Sequence, residues 1–351
     1  MKKLSYTLML FFILAACSQK EQEPSRSEVP ASAGEVPVVI AENLSVPWSM
    51  TKKGSTFHIS ERNGAIVSVD QESGEWTRLP VNLTKNLFTG GEGGFLGLEL
   101  IPNTDLEALA YHTYDENGKV LNRLVRLKKE EDRWIETSVL LEGIPGARIH
   151  NGGRIKIGPD GKVFITTGDA SVPELAQDLN SLAGKILRIE LDGTIPEDNP
   201  ISNSPIYSYG HRNPQGMVWD EKGNMYASEH GSSAHDELNQ IEPGKNYGWP
   251  VIQGDEKRTG METPLFHTDG VTWAPSGIAH NNGSLYIAAL RGEAVYQYVL
   301  SSGKPDIFQT GHGRIRDVLI EKDGLFFITN NLDGRGTPAE KDDQLMKVRF
   351  D

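Results

Sequence analysis

The chain has 351 residues, 37% hydrophobic and 24% charged, which is enough apolar material for one substantial core in a single domain. Its formal net charge of -13, with no basic run to offset it, excludes a nucleic-acid-binding role, because that affinity rests on cations that neutralise phosphates. The composition points instead to a small neutral partner, or to one bound through a cation.

Residues 1–16, MKKLSYTLMLFFILAA, place two lysines before an apolar stretch too short to span a bilayer comfortably, with small residues directly before Cys17, the only cysteine. The pattern resembles a bacterial lipoprotein signal, in which the Leu14-Ala15-Ala16-Cys17 box is cleaved ahead of a lipid-bearing Cys17. The expectation is an extracytoplasmic protein held to the cell membrane by an N-terminal lipid only; an uncleaved anchor is the alternative. Residues 17–36 are polar and rich in Pro, Ser and Glu, too poor in apolar surface to fold, and read as a tether. Once Cys17 is lipidated, residues 37–351 contain no thiol, so neither a disulfide framework nor a cysteine nucleophile is available.

From Trp48 onward one phrase recurs six times: an apolar alternating run, a short turn of Gly, Asp, Asn or Lys, and a second apolar run. The units start near residues 49, 95, 154, 217, 277 and 316. In the third, RIKIGPDGKVFITT (154–167) shows the period-two pattern of half-buried strands joined by a tight turn. Helical periodicity is nearly absent. Unit starts roughly 40–60 residues apart leave room for about four strands each, the blade size of a propeller. The expected fold is therefore all-β, a six-bladed β-propeller over 37–351, whose inner-strand loops converge on one axial funnel.

The loops before the units hold the candidate residues. Gly90-Gly91-Glu92-Gly93-Gly94 precedes the second, either a close-approach loop or ordinary glycine-rich material. Ile149-His150-Asn151-Gly152-Gly153-Arg154 precedes the third; His150 is either a general base suited to neutral pH or a solvated loop side chain. Asp169 ends the paired strand, placed either to return beside His150 and stabilise its protonated form or to serve as a turn residue. The loop before the fourth unit packs His211, Arg212, Asn213 and Gln215 into five positions: a fork of donors for a carboxylate or quinone oxygen with neutral hydrogen bonds beside it, or a polar cap on the unit. Ser228-Glu229-His230-Gly231-Ser232 and Asp236-Glu237 offer carbonyl and carboxylate oxygens that suit Ca²⁺ better than zinc, or a solvated acidic loop. Arg314 and Arg316 alternate into the sixth unit on one face, fit for a polyanion or for pairing with surface acids. No strand-to-helix Gly-x-Gly-x-x-Gly context suggests a Rossmann site.

Val46-Pro47-Trp48-Ser49, GEGGFLGLEL, HNGGRIKIGPDGKVFITTGD, AGKILRIELDGTIPEDNP, YSYGHRNPQGM, SEHG, DELNQIEPGKNYGWP, APSG and GRIRDV, in that order from about residue 37 to 351, resemble the soluble quinoprotein sugar dehydrogenases. That family includes aldose sugar dehydrogenases and glucose/sorbosone dehydrogenases, which are six-bladed propellers using pyrroloquinoline quinone (PQQ) and Ca²⁺. The resemblance implies oxidation of an aldose sugar at its anomeric carbon to a lactone, with hydride passing to the quinone and electrons leaving to an unidentified acceptor. It implies His150 as the base, Asp169 as its support and Arg212 as the group that polarises a quinone oxygen. Asn213 and Gln215 would line the cofactor pocket, Arg314 and Arg316 would face its carboxylates, and Arg291 stands where the family often has a cationic contact. Carbonyls of Gly231 and Ser232 match the pair that holds the cofactor's calcium, and Glu237 with the Tyr247 carbonyl matches a second, structural calcium site. Three departures stand out: Glu92 where relatives usually carry Gln, Ser232 for a common Pro, and no obvious cofactor-stacking aromatic in Phe266–Trp273. Two other functional classes compete, a calcium-dependent propeller lactonase and a non-catalytic ligand-binding propeller.

Overall fold

The structure is a computed structural model that describes Met1 and residues 36–350. Cys17, the body of the signal and all but the end of the tether lie outside the described residues. Strand β1 (Val38–Ala41) comes first, followed by a meander of β2 (Pro47–Lys53), β3 (Thr56–Glu61), β4 (Ala65–Asp70) and β5 (Trp76–Asn82). The next is β6 (Phe95–Leu100), β7 (Glu107–Glu116), β8 (Lys119–Lys129) and β9 (Trp134–Pro145). Then come β10 (Ile155–Ile157), β11 (Val163–Thr167), β12 (Lys185–Ile189) and β13 (Ile206–Tyr209), and after them β14 (Pro214–Trp219), β15 (Met225–Glu229), β16 (Glu237–Ile241) and β17 (Phe266–His267). The last strands are β18 (Pro275–Asn281), β19 (Ser284–Ala289), β20 (Ala294–Val299) and β21 (Lys304–Thr310), and finally β22 (Ile315–Glu321), β23 (Gly324–Thr329) and β24 (Leu345–Val348). One 3-10 turn, Pro173–Ala176, interrupts an otherwise all-β chain; no α-helix occurs among the described residues.

Each meander is antiparallel, as hairpins with short Gly- and Asp-bearing turns require. The final sheet is completed by β1, which pairs with β24 (Val38 opposite Lys347), so the two ends of the folded chain lie in one sheet. The β2–β5 and β6–β9 meanders join into one eight-stranded sheet through a parallel bridge between β5 and β9 that is only two residue pairs long.

The first strand of every meander packs against the first strand of the next: β2 on β6, β6 on β10, β10 on β14, β14 on β18, β18 on β22, and β22 back on β2. The sheets therefore form a closed, propeller-like ring. Its core is divided the same way, with one apolar cluster in each space between neighbouring sheets. One joins Phe57 and Ile59 to Phe326 and Ile328, for example, and another joins Ile278 and Ile287 to Tyr226 and Leu238. These strands read apolar at nearly every position because both of their faces are covered.

The inner strands also carry the irregularities that matter for function. The ladder register shifts near the start of β2 (Pro47 to Ser49), β14 (Pro214 to Gly216), β18 (Pro275 to Ile278) and β22 (Ile315 to Asp317). A bulge re-aims the extra side chain, and the residues at these steps are Trp48, Gln215, Ser276 and Arg316. A side chain at Gly216 would lie 2.2 Å from the Ser276 carbonyl, so glycine there is what lets β14 approach β18 closely enough for the four to meet.

Candidate active site

At the centre of the ring the bulge residues converge. Arg316 donates from Nη1 to Gln215 Oε1 (2.8 Å), from Nη2 to Asn330 Oδ1 (3.0 Å), and its guanidinium lies 5.8 Å from the Trp48 ring centroid. Beneath it Arg154, 1% exposed, crosses the ring: Nη1 reaches Asp317 Oδ2 (2.8 Å) and Ser49 Oγ (3.0 Å), and Nε reaches the Gln215 carbonyl (2.8 Å). Asp317 also accepts from the Met50 amide (2.9 Å), so one buried ion pair ties β2, β14 and β22 to the residue entering β10. The two arginines differ in one respect that decides their roles. Arg154 has a carboxylate partner, whereas Arg316, equally buried, has none among the described residues, and burial lowers its pKa to about 9.

Arg316 lines a pocket with Trp48, Arg62, Glu92, Gln215, His230, Asp333 and Arg335. Asp333 and Glu92, its nearest acids, are already engaged. Asp333 Oδ2 holds Arg314 Nη2 (2.7 Å) and Nε (3.1 Å), and Glu92 Oε1 holds Arg335 Nη1 (2.9 Å). Glu92 Oε2 accepts the His150 amide (3.1 Å). Burial alone would raise the Glu92 carboxyl; His230 in its charged form, the His150 amide and Arg335 outweigh it and bring the pKa down to about 2. Arg316 is the extra residue of the bulge at Ile315–Asp317 while Arg314 precedes it, and their partners differ accordingly. Arg314 is tied to Asp333 and the Leu290 carbonyl, while Arg316 reaches the centre. Arg291 is exposed and lines neither this cavity nor the next.

His150 and Asp169 are brought together. His150 Nδ1 lies 2.8 Å from Asp169 Oδ1, with the His side chain 13% and the Asp side chain 1% exposed. The approach depends on Gly168, where a Cβ would fall 2.0 Å from the His150 carbonyl. Asp169 also accepts the Ser171 amide at Oδ1 (2.8 Å) and the Trp249 indole at Oδ2 (2.9 Å), while its own amide donates to the Arg212 carbonyl (2.8 Å). With Nδ1 committed, Nε2 is the nitrogen His150 can offer to a substrate.

The loop that enters β14 divides its residues between anchoring and chemistry. His211 is fully buried, bonded to Glu229 (3.2 Å) and Ser208 (2.9 Å) and stacked on Tyr247, so it anchors the loop. Arg212 is half-buried, donates to the His230 carbonyl (3.1 Å), and lies with its guanidinium 5.3 Å from the Trp249 ring centroid. Asn213 spends Oδ1 on the Gly152 amide (3.0 Å), which fixes the loop that carries His150. Three buried polar atoms here have no partner: Arg212 Nε, Asn213 Nδ2 and His230 Nε2. Buried polar groups are rarely left so, and a cluster of them beside an unpaired guanidinium marks a place for a polar, anionic ligand.

A second pocket shares His230 with the first and is lined by Arg212, Glu229, Gly231, Ser232, Glu237, Tyr247 and Trp249 among others. Gly231 is shaped by Asp236, whose Oδ1 accepts its amide (2.9 Å) while Oδ2 accepts those of Trp273 and Ala274. Ser233, Ala234 and His235 follow with φ of 54°, 87° and 55°, a strained run for residues with side chains. Glu237 is raised to about 8 by burial and by the nearby Glu229 charge. The four residues matched to calcium sites thus border one cavity, although no group of three or more His, Cys, Asp or Glu among the described residues is arranged to hold a metal by side chains alone. Trp273, in the segment where no stacking aromatic was legible, lies flat on Tyr296 with centroids 3.7 Å apart.

The sequence profile of the Glucose / Sorbosone dehydrogenase family matches residues 44–338. The chain belongs to this family. It is similar to the PQQ-bound aldose sugar dehydrogenase of Streptomyces coelicolor, with 37% identity and a TM-score of 0.84 over 91% of this chain and 99% of that one. The aldose sugar dehydrogenase of Escherichia coli (strain K12) is 27% identical over 88% of this chain and 91% of its own length. Quinoprotein glucose dehydrogenase B of Acinetobacter calcoaceticus is 31% identical over 63% of this chain and 54% of its own.

In this glucose/sorbosone dehydrogenase-family chain, the site contains residues that the sequence reading did not single out. Trp48 and Trp249 have no role that spacing alone assigns, and Asp317, although it follows Arg314 and Arg316 in sequence, is the counterion of the distant Arg154. Arg62, Asp333 and Arg335 come from loops with no pattern of their own. Nothing local announces them, because they reach the cavity only through ring closure.

Proposed function

We propose that the chain is a six-bladed propeller quinoprotein that oxidises aldose sugars at the anomeric carbon to lactones. The blade count is supported by the closed cycle of contacts among β2, β6, β10, β14, β18 and β22 and by the apolar cluster between each pair of neighbouring sheets. The observation that carries the activity is the unpaired, buried Arg316 together with the orphaned Arg212 Nε, Asn213 Nδ2 and His230 Nε2, linked to the His150–Asp169 pair through Glu92, which accepts the His150 amide, and through the Arg212 carbonyl, which accepts the Asp169 amide. This donor set fits PQQ, a flat quinone bearing carboxylates, and the PQQ-bound relative from Streptomyces coelicolor supports the same identification.

PQQ, when bound, supplies the two-electron acceptor for the sugar's hydride. Arg316 would hold a carboxylate, and Arg212 would place positive charge where negative charge develops on an oxygen. His150 Nε2 takes the proton of the anomeric hydroxyl as the anomeric carbon gives up its hydride, so that the C–O bond becomes the lactone carbonyl. Asp169 fixes the tautomer and stabilises the imidazolium that results. Gly231 and Ser232 carbonyls would hold the cofactor's Ca²⁺, and Glu237 with the Tyr247 carbonyl a structural one. Electrons leave to an acceptor outside the chain, and the lipid on Cys17 would keep the enzyme at the outer side of the cell membrane.

The test is a cofactor titration followed by absorbance, with and without Ca²⁺, and then a sugar panel with a dye acceptor. The expected outcome is saturable binding and sugar-dependent dye reduction. His150→Ala should lower turnover about a thousandfold or more while leaving cofactor affinity nearly unchanged. No turnover with any aldose would sink the proposal. Lactone hydrolysis without added quinone would favour the lactonase class, and cofactor binding without sugar-dependent reduction would favour the non-catalytic one.

A further inference from the structure

Trp249 lies in the loop between β16 and β17 and is held at both ends of its backbone. Its amide donates to the Gly210 carbonyl (2.9 Å), and its carbonyl accepts Gln177 Nε2 (2.7 Å). From this fixed base its indole touches both groups to which the preceding reading gives chemical work. The indole N–H donates to Asp169 Oδ2 (2.9 Å), the oxygen that His150 does not use, and the ring face lies 5.3 Å from the Arg212 guanidinium carbon. Without that donor Asp169 would be held only at Oδ1, by Ser171 and His150, and could rotate about its Cβ–Cγ bond, carrying the imidazole with it. Without that face Arg212, whose Nε already lacks a partner, would keep only its bond to the His230 carbonyl.

We propose that Trp249 is a positioning residue that locks the His150–Asp169 pair and Arg212 into one geometry, so that proton removal and charge stabilisation are set by a single indole. The inference rests on the sugar-dehydrogenase reading and adds to it a residue that touches neither sugar nor quinone in that scheme. Its cost when removed falls on the chemical step: a misplacement of about 1 Å in a catalytic group lowers rates by up to about a hundredfold.

Trp249→Phe keeps the ring under Arg212 and deletes the N–H. We expect kcat to fall about 10- to 100-fold, with KM and cofactor affinity within about threefold of wild type. In an Asp169→Ala background the same substitution should cost less than about twofold, because the two residues act as one unit. Trp249→Leu should in addition weaken cofactor binding through Arg212. In the cofactor-free protein, the indole N–H resonance that disappears in Trp249→Phe, one of six tryptophan signals, should shift upfield in Asp169→Ala. Wild-type kcat in Trp249→Phe, an equal loss in both backgrounds, or a resonance indifferent to Asp169 would each overturn the inference. A wild-type protein that oxidises no sugar would overturn the functional reading and Trp249's role with it, whereas active wild type with an unaltered Trp249→Phe overturns this inference alone.

Discussion

Replacing Arg316 by Gln separates what the ring centre does for folding from what it does for a ligand. The guanidinium is buried, bonded only to the neutral oxygens of Gln215, Ser276 and Asn330, and the nearby carboxylates of Asp333 and Glu92 are held by Arg314 and Arg335. A pKa brought from 12.5 to about 9 corresponds to about 5 kcal/mol of unfavourable burial. The sign follows from linkage: the unfolded chain holds the proton more tightly, so the cost is fully present below pH 9 and is relieved only above it. Arg316→Gln removes that charge but gives back some hydrogen bonding, so the cofactor-free protein should gain about 1–3 kcal/mol and melt a few degrees higher. Affinity for an anionic quinone should move the other way. A charge pair near 4 Å at a dielectric of about 20 is worth about 4 kcal/mol, and even half of that raises Kd about thirtyfold. Thermal melts without cofactor and absorbance titrations with it measure the two halves separately. A variant that melts several degrees lower than wild type and binds the quinone equally well would refute the reasoning, because Arg316 would then be a structural residue like Arg154.

The opposite behaviour is expected at the paired arginine: Asp317→Ala strands Arg154 in the core and should cost about 3–5 kcal/mol, read as a lower melting temperature. Glu92, held at about 2 against an ordinary 4.5, contributes stability that is present above pH 4.5 and lost as pH falls towards 2. Glu92→Gln should therefore flatten the acid limb of the stability curve in that window, and an unchanged limb in urea titrations at pH 2–5 would count against the hold that His230, the His150 amide and Arg335 have on the Glu92 carboxylate. Added Ca²⁺ should raise the melting temperature of wild type by displacing the proton that burial and Glu229 keep on Glu237, and chelation should reverse it; Glu237→Gln should lose most of this response.

The parts of the fold that were legible in the sequence are those set by local chemistry. Asp-Gly and Asn-Gly turns, and Gly54-Ser55 after Lys53, mark the inner hairpins between alternating runs, and those runs became β10–β11, β22–β23, β18–β19 and β2–β3. Outer strands escaped for a physical reason. β5 and β9 are half-exposed and lack clean alternation, and β17 is two residues long, so burial imposes no readable period on them. The pairing of β1 with β24 is a contact between chain ends that no window of sequence contains. At the site, the meeting of His150 and Asp169 follows from their places at the ends of neighbouring segments. The different fates of Arg314 and Arg316 do not, because alternation assigns them to one face and the bulge at Arg316 overrides it.

That bulge exposes a general feature of the molecule. Arg154 and Arg316 sit in one buried centre, yet only Arg154 has a partner that neutralises it, and the acids able to serve Arg316 are drawn off to Arg314 and Arg335. A core under selection for stability alone would pair the second arginine or replace it with an apolar residue, since buried unpaired charge is the costlier choice. Leaving it unpaired, with the orphaned His230 Nε2 in the same pocket, leaves an unfavourable term that a bound anion would remove. The remaining sheets, with apolar clusters in every gap, provide the stability that makes such a centre tolerable. On the proposed function the destabilised centre is also the cofactor site, so ligand-dependent stabilisation should be largest where the cofactor-free protein is least satisfied.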